Sequence, residues 1–97
     1  MRQSPTALGW VDPDSAAPDW YKAQVQRLAR HLGYRLVWPA ETSWVPLADQ
    51  ARQADVDAVV IPSPDHLDVL ELNFLMTLVT VESVCPRMTF SRWALAR

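Results

Sequence analysis

Asp57-Ala-Val-Val-Ile61, closed by Pro62-Ser-Pro64, is the stretch on which the reading of this chain turns. Four consecutive small or aliphatic residues leave no polar face. A strand of that kind is buried on both sides, as parallel strands between helices are. The prolines end it, because neither can donate to a ladder or continue a regular element from this position. One such strand requires parallel neighbours and crossover helices, so the search runs outward in both directions.

Upstream, Tyr34-Arg-Leu-Val-Trp38 reads as a strand stopped by Pro39, and Ala7 to Val11 as another, closed by the turn Asp12-Pro13-Asp14. Between these two, Tyr21, Val25, Leu28 and Leu32 recur at helical spacing. Pro18 and Asp19 suit the first helical turn, and Gly33 stands where a helix needs a left-handed C-terminal residue. Thr42 and Ser43 offer caps for a second helix, with Pro46 in its first turn and Leu47, Ala48, Ala51 and Ala54 along one side. Downstream of Ile61, a long helix is expected from Asp65 or His66 to about Ser83, before Pro86. A β-like run from Met88 to Phe90, extending toward Trp93, closes the chain. The expectation is a single three-layer α/β domain over residues 1–97. It has an open, mostly parallel sheet of four strands, with helices on both faces.

Composition agrees with one globular domain. Of 97 residues, 49% are hydrophobic and 21% charged, with a net charge of −2. The balance excludes a free-standing electrostatic nucleic-acid binder. A chain this long buries roughly 60–65% of its unfolded surface. The single cysteine, Cys85, supports neither a disulfide framework nor a cysteine-rich zinc site, and reads as a small buried hydrophobe. No basic segment followed by an apolar stretch opens the chain, and the Leu67–Val84 run is broken by acids and an Asn. A cytoplasmic protein is expected.

Open α/β sheets place ligands beyond the carboxyl ends of their strands. Here those ends carry acids: Asp12 and Asp14 after the first strand, Glu41 after the second, Asp65 after the third. Asp12, Asp14 and Asp65 are thus weak candidates for a Mg²⁺ site, in a phosphoacceptor or a phosphatase-like domain. The lysine such chemistry needs near the last strands is missing, since Lys22 lies on the first helix. Capping of turns and helix starts is the simpler role for these acids, and no cofactor is expected. Ser63, Asp65 and His66 stand too close in sequence to form a triad, whose members converge from separate elements. His31 fits a solvated position at the C-terminal end of its helix.

The order of elements resembles the N-terminal catalytic domain of the serine recombinases, the resolvase/invertase family. The matching pieces are Leu8-Gly-Trp-Val-Asp12, Gln24-Val-Gln-Arg-Leu28 with Gly33, Glu41-Thr-Ser43, Pro46-Leu-Ala-Asp49, Val59-Val-Ile61 and Asp65-His-Leu67. They span residue 7 to about 90. By this resemblance the nucleophilic serine falls at Asp12 and the arginine two residues before it at Trp10. The other arginines fall near Val45, at His66 and at Val69. A carboxylate cannot attack a phosphodiester as the serine hydroxyl does, and it repels the phosphate. The lost arginines would have stabilised the phosphorane-like transition state. The resemblance therefore implies a resolvase-like fold without recombinase activity. It also leaves open that the chain is the N-terminal part of a longer DNA-binding protein.

Association with a protein partner is then the expected role, as a homodimer or as a regulatory or scaffolding subunit. Five tryptophans are many for this length. Trp10 and Trp38 fit the core, while Trp20 and Trp44 sit at loop–helix junctions where exposure would mark an interface. On the expected third helix, Leu67, Leu70, Phe74, Leu78 and Val81 suit the side that lies on the sheet. Val69, Leu72, Met76 and Val79 form a second stripe on nearly the opposite side. Unless the run containing Trp93 and Leu95 covers it, that stripe is the expected dimer or partner surface.

Overall fold

The computed structural model describes residues 4–39 and 46–92. Strands β1 (Thr6–Gly9), β2 (Arg35–Val37), β3 (Ala58–Ile61), β4 (Thr80–Ser83) and β5 (Met88–Phe90) form one sheet in the order β2-β1-β3-β4-β5. The first four are parallel, and β5 runs antiparallel to β4. Helices α1 (Pro18–Leu32), α2 (Leu47–Ala54) and α3 (Val69–Met76) make the crossovers, with a 3₁₀ turn over Pro64–His66.

Alternation along the strands divides the interior into two cores. Ala58 and Val60 face α1, joining Ala7, Val25, Leu28 and Ala29. Val59 and Ile61 face the other way and meet Leu8, Leu47, Ala51 and Leu75 of the α2 and α3 layer. All four residues of β3 are fully buried, the central position expected of a strand without a polar face. Asp57 fastens its start: its N–H donates to the Thr6 carbonyl at 2.9 Å, and its carboxylate accepts the Thr6 N–H at 2.9 Å.

Helix α1 ends as its sequence requires. Gly33 takes φ 84°, its N–H donates to the Arg30 carbonyl, and the Tyr34 N–H reaches back to Ala29 at 2.9 Å. This is the Schellman arrangement, which satisfies carbonyls left over at a helix end. Helix α2 starts at Leu47 after Pro46; the expected caps Thr42 and Ser43, like Glu41, lie outside the described residues.

The expected long third helix is corrected. Helix α3 starts after Asp68, whose carboxylate accepts the Glu71 N–H at 2.8 Å, and stops at Met76. The chain turns through Thr77 to Val79 and becomes β4, so the sheet has five strands rather than four and is mixed. Val79 and Val81 each continue a helical stripe, from Met76 and from Leu78, and together they fit a two-residue alternation equally well. Pairing decides between them, because β3 is apolar on both faces and needs a ladder on each edge. Ala58 through Ile61 pair with Thr80 through Ser83 along the whole strand. Cys85, expected to be buried, is exposed. It sits in the β4–β5 connection, where its N–H donates to the Pro62 carbonyl at 2.8 Å and its side chain is left outside both cores.

Candidate functional site

The carboxyl ends of β1, β2 and β3 bring the chemistry-bearing residues together. After β1 the chain turns at Asp12: its Oδ1 accepts the Asp14 N–H at 2.9 Å, and its carbonyl accepts the Ser15 N–H at 3.0 Å. After β3, Pro62-Ser-Pro64 leads into the 3₁₀ turn and presents His66 to that loop. The Asp12 N–H donates to His66 Nδ1 at 3.0 Å, and the Trp10 indole N–H donates to the His66 carbonyl at 3.1 Å. An imidazole nitrogen that accepts is unprotonated, so this contact fixes the tautomer with hydrogen on Nε2. The Tyr21 ring stands edge-on to His66 at 4.8 Å and touches Trp20 at 5.2 Å. His66 is thus a latch joining the β1 loop, the β3 loop and the first turn of α1.

Beside the latch lies a cleft of about 720 Å³, walled by Trp10 and Trp38, by Pro13, Pro39 and Pro46 of the loops after β1 and β2, and by Pro18 at the start of α1. Trp38 continues the parallel register opposite Gly9, and Trp10 stands one residue further. The two side chains therefore leave the sheet on opposite faces, Trp10 toward the α2–α3 core and Trp38 toward the α1 core, and the cleft spans the end of the sheet between them. Lys22 and Asp19 reach the cleft from α1, Gln50 from α2 and Glu71 from α3. The Lys22 ammonium stands 5.9 Å from the centre of the Trp38 ring, within cation–π range. Burial pushes the Glu71 carboxyl above the usual glutamate range, and the neighbouring Asp68 charge adds to it. Sequence alone assigns Trp10 and Trp38 to the core, and nothing in it joins them to Lys22, Gln50 and Glu71 in one site. The legible signal was the pair of tryptophans one step past two parallel strands.

The expected metal ligands do not converge. Asp12 and Asp14 fold into their own turn and Asp65 is exposed on the 3₁₀ segment. Among the described residues no group of three His, Cys, Asp or Glu side chains is placed to hold a metal ion.

The expected interface residues divide. Trp20 is 60% exposed, and Val69 is 72% exposed. Leu72 and Met76 instead pack on the core beneath α3, and Val79 is buried at the entry to β4. Trp44 lies outside the described residues. The two expected stripes are therefore exchanged in part: Val69 is exposed and Leu67, Leu78 and Val81 pack in the core as expected, but Leu70 and Phe74 trade places with Leu72, Met76 and Val79. Leu70, at 80%, and Phe74, at 50%, face outward, while Leu72, Leu75 and Met76 face the sheet. Leu72 and Met76 pack on the same core as Leu75, Val79 and Val81 of β4.

No helix among the described residues is long and apolar enough to cross a membrane. No protein-family model, curated protein or solved structure matches this chain.

Proposed function

We propose that this protein is a catalytically silent, resolvase-like association module, which binds a second copy of itself or a protein partner through the outer face of α3. The observation that carries the reading is the apolar surface made by Val69, Leu70 and Phe74. At about 100° per residue Leu70 and Phe74 lie one turn apart on a side that faces away from Leu72 and Met76, and Val69, the first residue of the helix, is exposed at its end on the Met76 side. Three large apolar side chains left in water on one short helix are what a contact surface offers.

The silent chemistry is supported by the position that the serine would take. Asp12 there has its N–H given to His66 and its carboxylate engaged by the Asp14 N–H, a structural turn rather than a poised nucleophile. The magnesium-centred alternative has no comparable support, since among the described residues no three ligating side chains are grouped to hold an ion.

Light scattering on the wild type, Leu70→Glu and Phe74→Glu tests the reading. The wild type is expected to associate, and each charged variant to remain folded and monomeric. A wild type that stays monomeric at high concentration, and retains no partner from host extract that Leu70→Glu releases, overturns it. Incubation with supercoiled plasmid is expected to yield no covalent adduct; a serine-linked adduct would defeat the silent assignment.

A further inference from the structure

The cleft beside the His66 latch carries an inference that goes beyond association through α3. We propose that it is a binding site for a small organic cation with a flat apolar body, of the arylalkylammonium class. Its volume of about 720 Å³ lies within the range of small-molecule sites. Its aromatic walls are set in place before any ligand arrives. The Trp10 indole is tied to the His66 carbonyl at 3.1 Å, and Trp38 packs so closely on β1 that a Cβ on Gly9 would come within 2.7 Å of its ring. Rigid indole faces of this kind offer stacking to a flat body and cation–π attraction to an ammonium.

Charge selects the sign of the ligand. Two carboxyl groups, Asp19 and Glu71, reach the cleft against one ammonium, Lys22. Glu71 also stands beside Asp68, so an arriving cation relieves like-charge repulsion, whereas an anion adds to it. The Trp38 face already draws a cation, the Lys22 ammonium at 5.9 Å. A ligand ammonium would take that place and displace the side chain.

Titration of the full chain with phenethylammonium, followed by the indole N–H resonances in ¹H–¹⁵N NMR spectra, tests this. Saturable shifts at Trp10 and Trp38 are expected, with 3-phenylpropionate, its anionic counterpart, at least about tenfold weaker. Glu71→Gln should weaken phenethylammonium severalfold. Lys22→Met should tighten it, because the competing ammonium is gone. Trp38→Leu should weaken it about tenfold, and the two surface variants decide the matter should that substitution unfold the protein. Tighter binding of phenylpropionate, weaker binding in Lys22→Met, or unmoved indole signals with every probe would each overturn the proposal.

Discussion

At the scale of single residues, His66 and Gly33 show two kinds of dependence on context. His66 holds together three segments distant in the chain by accepting from the Asp12 N–H, offering its carbonyl to Trp10 and packing on Tyr21. His66→Ala leaves the Asp12 N–H without that acceptor and is expected to lower stability by about 1–2 kcal/mol in urea unfolding. Gly33 depends on nothing but its own backbone, since a Cβ there would meet no atom within 4 Å. Gly33→Ala should still cost about 1 kcal/mol, wholly from forcing an L-residue to positive φ. Two titrating groups among the described residues contribute a pH dependence of known sign. Glu71 is raised by burial and then by Asp68; Tyr34 is raised by burial and then by Glu82 and Asp57, with Arg87 opposing. In both, the folded state holds a proton that the unfolded chain gives up sooner. Their stabilisation is therefore complete below the ordinary value of each group and fades as pH rises through the raised one. Glu71→Gln should flatten the stability profile just above the usual glutamate range, and Tyr34→Phe should do so above the usual tyrosine range. Thermal melts across pH check both.

At the scale of elements, α3 decides the most. Its apolar residues surround the helix, so sequence spacing offers two candidate inner faces and no way to choose. Leu75 is fully buried against the α2 layer, and Leu75→Ala is expected to cost about 2–5 kcal/mol. Leu70 and Phe74 face water, and Leu70→Glu should stay within about 0.5 kcal/mol of the wild type as a monomer while changing its assembly. Opposite outcomes at Leu75 and Leu70, read by urea unfolding and light scattering together, would establish which face is inside. Element β4 teaches the same lesson. Thr80-Val-Glu-Ser83 has its strand identity from β3, against which all four residues pair, and Glu82 is satisfied within the strand layer by Thr89 and by Arg87 at 3.1 Å.

At the scale of the whole molecule, the mixed sheet sorts one helix to one face and two to the other, and leaves a cleft where the loops after β1 and β2 meet α1, α2 and α3. Asp57–Ile61, the Tyr21–Val25–Leu28–Leu32 spacing and Gly33 were enough to read an α/β domain with parallel strands and crossover helices. Those signals are local: each concerns what one segment can bury or how its own backbone can end. The fifth strand, the inward face of α3, the exposure of Cys85 and the meeting of Trp10, Trp38, Lys22 and Glu71 were decided only by tertiary structure. Each depends on a partner far along the chain, and the apolar pattern of residues 67–84 fits helix and strand alike until β3 supplies an edge to pair with.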